Sequence, residues 1–502
     1  MVVYHLALLA LIPSLLASRS AGAPGAFDRR HRAGYCRPPM AVPQVAAGSP
    51  AQESAPGLLR ALGVRDGALI TIGSVVGTGI FLTTSDMARE MPHAGLVLLV
   101  WAVCGALVLA GALSYAELGA MFPRAGGIYH FLKEAYGGIW GFLYGWASFL
   151  VIMSGGLAAL AVGFGEYLGS FLPFFATSHV LVSAPVGPWR WTLTGGQLAG
   201  AGAILVLTFV NQLGVKEGAW VQNGLTLIKV AGFAAFAAAG LRAAAPQASP
   251  VLAPLPAHFL SGFGVAMIAA LWTYDGWYAV VFNAGEVKDP ARNLPRGLIL
   301  GNLAVVVLYL LINLVYVRTL SVEEIAASPR VAETAAAALL GPVGARLFAA
   351  AVVVSAFGCL SSTILYSSRI YQPMAADGVF FRALSEVHPR WRTPVRSLWA
   401  QSAVAVGLTL SGTYDQLYTY VVFTAVLFHV ATGAAVFVLR WKRPDAPRPY
   451  RVWGYPWVPL VFIGSSVVLL VNTLVLRPVE SVFGLILVGL GVIAYLFWRR
   501  RA

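Results

Sequence analysis

The sequence predicts an all-α polytopic membrane protein with twelve transmembrane helices. Three observations carry that prediction. Of the 502 residues, 58% are hydrophobic and only 11% are charged, with a mean hydropathy of +0.76. A single water-soluble core cannot hide that much apolar surface. Apolar runs of about 20 residues, the length that crosses a bilayer as a helix, recur along the chain. Basic residues fall on alternate loops between those runs, as cytoplasmic membrane loops require. The same composition argues against a disordered chain and an ordinary cytosolic enzyme. The three cysteines, Cys36, Cys104 and Cys359, include no pair with metal-ligand spacing, so no disulfide framework, metal or cofactor is expected.

Residues 1–56 stand apart from the membrane core. Leu6 to Ala17 is a 12-residue apolar stretch interrupted by Pro13, too short to span. Met1 to His5 lacks the Lys or Arg of a secretory signal. Residues 18–56 are rich in Pro, Ala, Ser and Arg and are expected to be disordered. Met40 opens the approach to the first span, so residues 1–39 are expected to be a mis-assigned start or a dispensable extension.

The twelve expected spans are approximately 67–88, 95–117, 139–169, 194–213, 218–240, 259–282, 298–319, 345–369, 396–412, 416–440, 456–476 and 479–498. The third is long enough to require tilt or protrusion. The ninth is short for a complete crossing. With both termini cytoplasmic, 21 Lys and Arg lie on the inner side and seven on the outer. That bias orients the chain in the cell (inner) membrane. It also removes a nucleic-acid partner, because the charge does not gather on one face.

Span 1 contains Gly73-Ser74-Val75-Val76-Gly77-Thr78-Gly79-Ile80-Phe81. Three glycines in seven positions weaken a helix by about 1 kcal/mol each relative to alanine. Span 6 carries Trp272-Thr273-Tyr274-Asp275-Gly276-Trp277, and an ionisable group at that depth must face a cavity or a partner. The two interruptions lie five spans apart, which points to a five-plus-five inverted repeat with discontinuous first and sixth helices. Half-helix ends meeting at mid-depth offer N–H groups to an anion and carbonyls to a cation. A zwitterion suits that pair of poles.

Several motifs along the chain are familiar. The 73–81 run resembles the first-helix motif of the amino acid–polyamine–organocation (APC) superfamily. Tyr115-Ala116-Glu117-Leu118-Gly119, then Pro123 to Tyr129, is similar to that family's second-helix end and first cytoplasmic loop. Glu286 to Arg296 resembles the signature after the sixth helix. Ser367-Ser368-Arg369 through Gly378, with His388-Pro389-Arg390 and Thr393-Pro394, resembles the loop after the eighth. Arg448 to Pro456 resembles the loop before the eleventh. Within the superfamily, Tyr274-Asp275-Gly276-Trp277 looks closest to the L-type amino acid transporters and their bacterial relatives.

The resemblance implies a LeuT-type core over 57–476, with the first repeat about 67–240, the second about 259–440 and helix 11 about 456–476. Residues 477–502 form helix 12 and a short basic cytoplasmic tail. It implies secondary active transport of L-amino acids by alternating access, sodium-independent and by exchange. Proton-coupled symport and antiport of cationic amino acids or polyamines stay open. By the same analogy the substrate carboxylate meets the N–H groups of Thr78, Gly79 and Ile80. The amino group meets carbonyls around Val75 and Val76 and around Leu271, Trp272 and Tyr274. Gly77 and Gly276 complete the two breaks, and Trp272 matches an aromatic gate. Animal L-type proteins carry a cysteine between spans 3 and 4 that bonds a single-pass partner. Residues 170–193 contain none, so no disulfide-linked heavy subunit is expected.

Lys229 lies inside span 5, where a charge is expensive and usually paired or functional. The resemblance places its ammonium where related carriers hold a sodium ion, with Ser355, Ser361 and Ser362 of span 8 as candidate acceptors; proton coupling through it stays open. Asp275 has two readings: a wall of the side-chain pocket that favours a cationic substrate, or an acceptor for N–H groups freed by the break. Glu117 with Arg124 or Arg369 is a candidate inner gate, and Glu166 sits near the outer end of span 3. An intramembrane enzyme finds no support: the eight histidines are well separated, and no nucleophile elbow or phosphate-binding motif is present. A channel would show charge rings or filter loops instead of two broken helices.

Overall fold

The computed structural model describes residues 60–186, 189–242, 255, 258–411 and 414–499. The extension at 1–56, with the proposed dispensable segment 1–39, lies outside the described residues.

Span 1 is divided. Helix α1 (Val64–Val75) stops at Val76, a four-residue helix α2 (Gly79–Leu82) restarts, and α3 (Thr84–Glu90) follows. Span 2 is α4 (Ala94–Met121), and the loop after it folds into α5 (Ile128–Tyr136). Gly126 and Gly127, at φ 105 and 42, make the turn that L side chains rarely adopt. Span 3 is α6 (Gly138–Ala147), a π turn at Ser148–Ile152 and α7 (Met153–Leu168). Its apolar stretch is wholly buried, so the excess length serves a central column.

An antiparallel hairpin, β1 (Val180–Val186) and β2 (Trp189–Thr194), follows. Span 4 is α8 (Gly195–Gln212), begun by a Thr194/Gln197 capping box that satisfies two otherwise orphan donors. Span 5 is α9 (Val215–Arg242). Span 6 is α10 (Phe259–Tyr274), a break at 275–278, and a 3-10 helix at Ala279–Glu286. Span 7 is α11 (Pro290–Thr319), followed by the short α12 (Val322–Ala327). Helix α13 (Val331–Ala376) contains span 8, and α14 (Val395–Thr409), α15 (Tyr414–Lys442), α16 (Trp457–Leu476) and α17 (Pro478–Arg499) contain spans 9 to 12. Span 8 starts within α13 because Gly341, at φ 71, is non-helical there.

Among the described residues, nine helical segments are long and apolar enough to cross a membrane. The remaining three expected crossings fail that test for local reasons. Span 1 is broken, span 4 has 18 residues and buries Gln197, Asn211 and Gln212, and span 9 has only 15. Helix α7 is enclosed by α8, α13, α14 and α15, while α11 lies along α1 and α4. Exposed Val468, Val475 and Ile493 on α16 and α17 give the outer face a lipid-compatible surface.

A short strap joins the two broken spans at the end rich in basic residues. Ala61 and Leu62 N–H groups donate to the Glu286 carbonyl at 2.9 Å each, and Lys288 N–H returns to Leu62 O at 2.8 Å. Leu62 and Val287 form a parallel bridge. Helix α5 is tied to the end of α13 by Asp377, which accepts from Tyr129 Oη at 2.5 Å and Lys133 Nζ at 2.7 Å. Burial alone would raise the Asp377 carboxyl; those donated hydrogen bonds outweigh it and hold the group below the usual carboxylate range.

Candidate functional site

The two interruptions face each other. Glycine makes the approach possible: a Cβ on Gly79 would lie 2.7 Å from Thr273 Oγ1 and 3.0 Å from its Cα. One on Gly276 would lie 2.8 Å from Ser74 O, and Gly276 adopts φ +91. Thr83 and Thr273 share a hydroxyl hydrogen bond at 2.7 Å. Tyr309 of α11 donates to Val75 O at 2.9 Å and to Thr273 O at 3.2 Å, so one phenol touches both breaks. Nothing in the sequence singled out this tyrosine within an apolar span. Gly276→Ala combines a disfavoured φ with a backbone clash. It is expected to destabilise the protein by about 1–3 kcal/mol, read as a lower melting temperature in detergent.

A small cavity lies between the breaks and spans 3 and 8. Span 1 contributes Ser74, Val75, Gly77 and Gly79, and span 6 contributes Trp272, Thr273 and Asp275. Span 3 adds Ile152, Met153, Gly156 and Leu160, and span 8 adds Cys359, Thr363 and Tyr366. Ile80 is fully buried just beyond, and the buried Thr78 Oγ1 has no hydrogen-bond partner. The side chain of Tyr274 points away, donating to Trp101 O at 3.3 Å. Leu271 lines a separate apolar cavity with Met267, Val422 and His429, which Asp275 also borders.

The carbonyls of α1 are already engaged, which corrects one expectation. Val75 O accepts from Gly77 N–H at 2.8 Å and from Tyr309 Oη at 2.9 Å. Val76 O accepts from Lys229 Nζ at 2.8 Å and Ser355 Oγ at 3.0 Å. A carbonyl has two lone pairs, so neither is free for a substrate ammonium.

Lys229 is buried, and its ammonium also donates to Gly73 O at 2.9 Å. It thus sits at the C-terminal end of α1, where helix carbonyls favour a cation. The expected ring of span 8 acceptors is corrected in part. Ser355 shares the Val76 carbonyl with Lys229, but Ser361 Oγ accepts from Asn211 Nδ2 at 3.1 Å and Ser362 bonds Ser74 Oγ at 2.7 Å. Asp275 Oδ1 accepts from Tyr278 Oη at 2.9 Å.

The expected gate pairing is also corrected. Glu117 is buried and accepts from Arg440 Nε and Nη2 at 2.9 and 2.7 Å and from Val452 N–H at 2.7 Å. Arg448 lies 3.6 Å away. Span 10 and its following loop therefore supply the cations, and neither Arg124 nor Arg369 reaches it. Arg369 instead pairs with Glu286 at 3.1 Å, with side chains 1% and 0% exposed. At the opposite end a cavity of about 760 Å³ is lined by Asp86, Arg89, Glu90, Glu166, Tyr418 and Arg477, among others. Glu166 accepts a hydrogen bond from Thr177. Trp272, from the central cavity, stacks on Tyr418, from this larger one, at 5.9 Å.

Apolar crossings around two opposed helix breaks, with a small cavity between them, define a membrane carrier for small solutes. The chain belongs to the amino acid permease family, whose model matches residues 62–495, within the APC superfamily. It is 30% identical over 449 residues to the serine/threonine exchanger SteT of Bacillus subtilis (strain 168), covering 89% of this chain and 98% of that protein. It is 30% identical over 453 residues to the large neutral amino acids transporter small subunit 2 of Homo sapiens, covering 88% and 82%. It is 29% identical over 445 residues to the b(0,+)-type amino acid transporter 1 of Mus musculus, covering 87% and 88%.

Proposed function

We propose that this permease exchanges L-amino acids across the cell (inner) membrane by alternating access, without sodium. Its twelve spans form a LeuT-type five-plus-five repeat with two added helices and both termini cytoplasmic. The observation that carries the reading is the Lys229 ammonium on the Gly73 and Val76 carbonyls. A fixed cation there leaves no vacancy for a mobile one. Exchange is supported by the similarity to SteT, which is itself an exchanger. The substrate carboxylate sits on the N–H groups of Thr78, Gly79 and Ile80. Its ammonium, displaced from the occupied α1 carbonyls, turns to the span 6 carbonyls of Leu271, Trp272 and Tyr274. Trp272 and Tyr418 close over the substrate on the outer side, and Glu286–Arg369 closes the inner side. No disulfide-linked heavy subunit is required.

A second reading, transport of cationic amino acids, is favoured by Asp275 in the cavity wall. Counterflow in proteoliposomes against the twenty amino acids, at two pH values and with and without sodium, tests both. Saturable, sodium-indifferent uptake driven by internal amino acid is expected. Single-channel currents, or uptake that needs no internal substrate, would overturn exchange. Arginine competition against leucine that survives Asp275→Asn would remove the cationic reading.

A further inference from the structure

The chain between spans 10 and 11 has two faces. Arg440 to Arg451 carries five basic residues against one acidic residue, Asp445. Four of the five are engaged by the protein. Arg440 and Arg448 are drawn to Glu117, Arg443 pairs with Glu134 at 2.7 Å, and Lys442 Nζ donates to Ala135 O at 2.9 Å. Arg451 is exposed, and among the described residues its side chain has no hydrogen bond or ion pair. The next residue, Val452, is buried and donates its N–H to Glu117 at 2.7 Å. Trp453 turns outward again and is 77% exposed. Trp441, near the end of α15, and Trp457, the first residue of α16, are 80% and 72% exposed, whereas Trp101, Trp146, Trp277 and Trp498 are buried. The segment is fastened to α15, because the Arg440 guanidinium lies 3.7 Å over the Tyr455 ring in a cation–π contact.

We propose that this outward face binds the phosphate of an anionic bilayer lipid. Here α15 ends and α16 begins, and both supply segments long and apolar enough to cross a membrane. The loop between them therefore lies at the level of the headgroups. Indole rings favour that level, with the apolar body toward the lipid tails and the N–H toward water. A guanidinium without a protein partner presents a fork of donors that fits a phosphate. The positive charge beside it draws anionic lipid to the surface. A soluble acidic partner would satisfy Arg451 but not the three indoles, which stand at the ends of two crossings. The opposite face of the same stretch, Arg448 and Val452, holds Glu117 at the C-terminal end of span 2. Headgroup binding thereby stiffens the junction of spans 2 and 10. The inference does not depend on which solute is carried.

The test is thermal denaturation of the full chain in detergent micelles doped with phosphatidylglycerol or with phosphatidylcholine. Phosphatidylglycerol is expected to raise the melting temperature of the wild type in a saturable way, and phosphatidylcholine is not. Arg451→Gln should need about fivefold more phosphatidylglycerol for half the effect, which is what one basic residue contributes at an anionic surface. Arg451→Lys keeps the charge without the fork and should fall between the two. Trp453→Ala should weaken the effect as well. Arg382→Gln removes an exposed cation elsewhere at the end rich in basic residues and should leave it unchanged. All three positions are exposed, so every variant is expected to fold. A wild type indifferent to phosphatidylglycerol, an Arg451→Gln midpoint equal to the wild type, or an equal shift in Arg382→Gln would overturn the proposal. Inorganic phosphate that stabilises the wild type as well as the lipid does would also overturn it.

Discussion

Lys229→Ala is expected to lower amino acid counterflow about a hundredfold while the protein still reaches the membrane. The ammonium bonds Gly73 O and Val76 O at 2.9 and 2.8 Å from a side chain only 1% exposed. Alanine takes away both donors. Gly73 O lies just past the last helical hydrogen bond, from Val76 N–H to Ile72 O, and among the described residues Val76 O keeps only Ser355. Leaving a buried acceptor short costs about 1–3 kcal/mol, and two such losses amount to about a hundredfold at about 1.4 kcal/mol per factor of ten. The loss falls on the shape of the break, which every substrate uses, so all amino acids should be affected alike. Lys229→Arg should not restore uptake, since a planar guanidinium does not replace a compact ammonium between two carbonyls. Initial rates in proteoliposomes, with and without sodium, measure this. Rates and ion dependence equal to the wild type would remove Lys229 from the transport cycle.

Arg369→Ala is expected to have the largest effect on stability. Both members of the Arg369–Glu286 pair are buried, and among the described residues the Glu286 carboxylate retains only the Asn283 Nδ2 hydrogen bond at 2.5 Å once the guanidinium is gone. Stranding a buried carboxylate costs about 3–5 kcal/mol. The folded yield in detergent should fall sharply. Neutralising the survivor as well, in Arg369→Met with Glu286→Gln, should recover much of the loss, because an uncompensated charge is worse than none. Thermal denaturation of the two single variants and the double variant measures it. A single Arg369→Ala protein as stable as the wild type would show that the pair carries no structural burden.

Nine of the expected crossings were legible because a bilayer imposes one length and one polarity on a helix within it. The two breaks were legible because the glycines of span 1 and Asp275-Gly276 of span 6 interrupt apolar runs five spans apart; close packing through small residues would account for the glycines of one span alone. Lys229 stood out because a charge at mid-depth needs a partner, while the place of its ammonium followed only from the family resemblance. Partners that depend on which helices are neighbours were not readable. Glu117 meets Arg440 instead of Arg369 because span 10, and not span 8, passes the C-terminal end of span 2. Tyr309 carries no local signal, since a tyrosine in span 7 looks like any other packing residue until both breaks are seen to converge on its hydroxyl. The occupied carbonyls of Val75 and Val76 are likewise a property of three-dimensional proximity. The hairpin at 180–194 is too short to stand out between two apolar runs.

The strap between Leu62 and Val287 has a mechanical consequence. It gears the interrupted rods together where they leave the lipid, so neither can swing without carrying the other. Events at one fracture are therefore felt at its twin through a rigid coupling far from the cargo. Two residues ahead of the first rod, Ala61 and Leu62, thereby turn two separate hinges into a single lever.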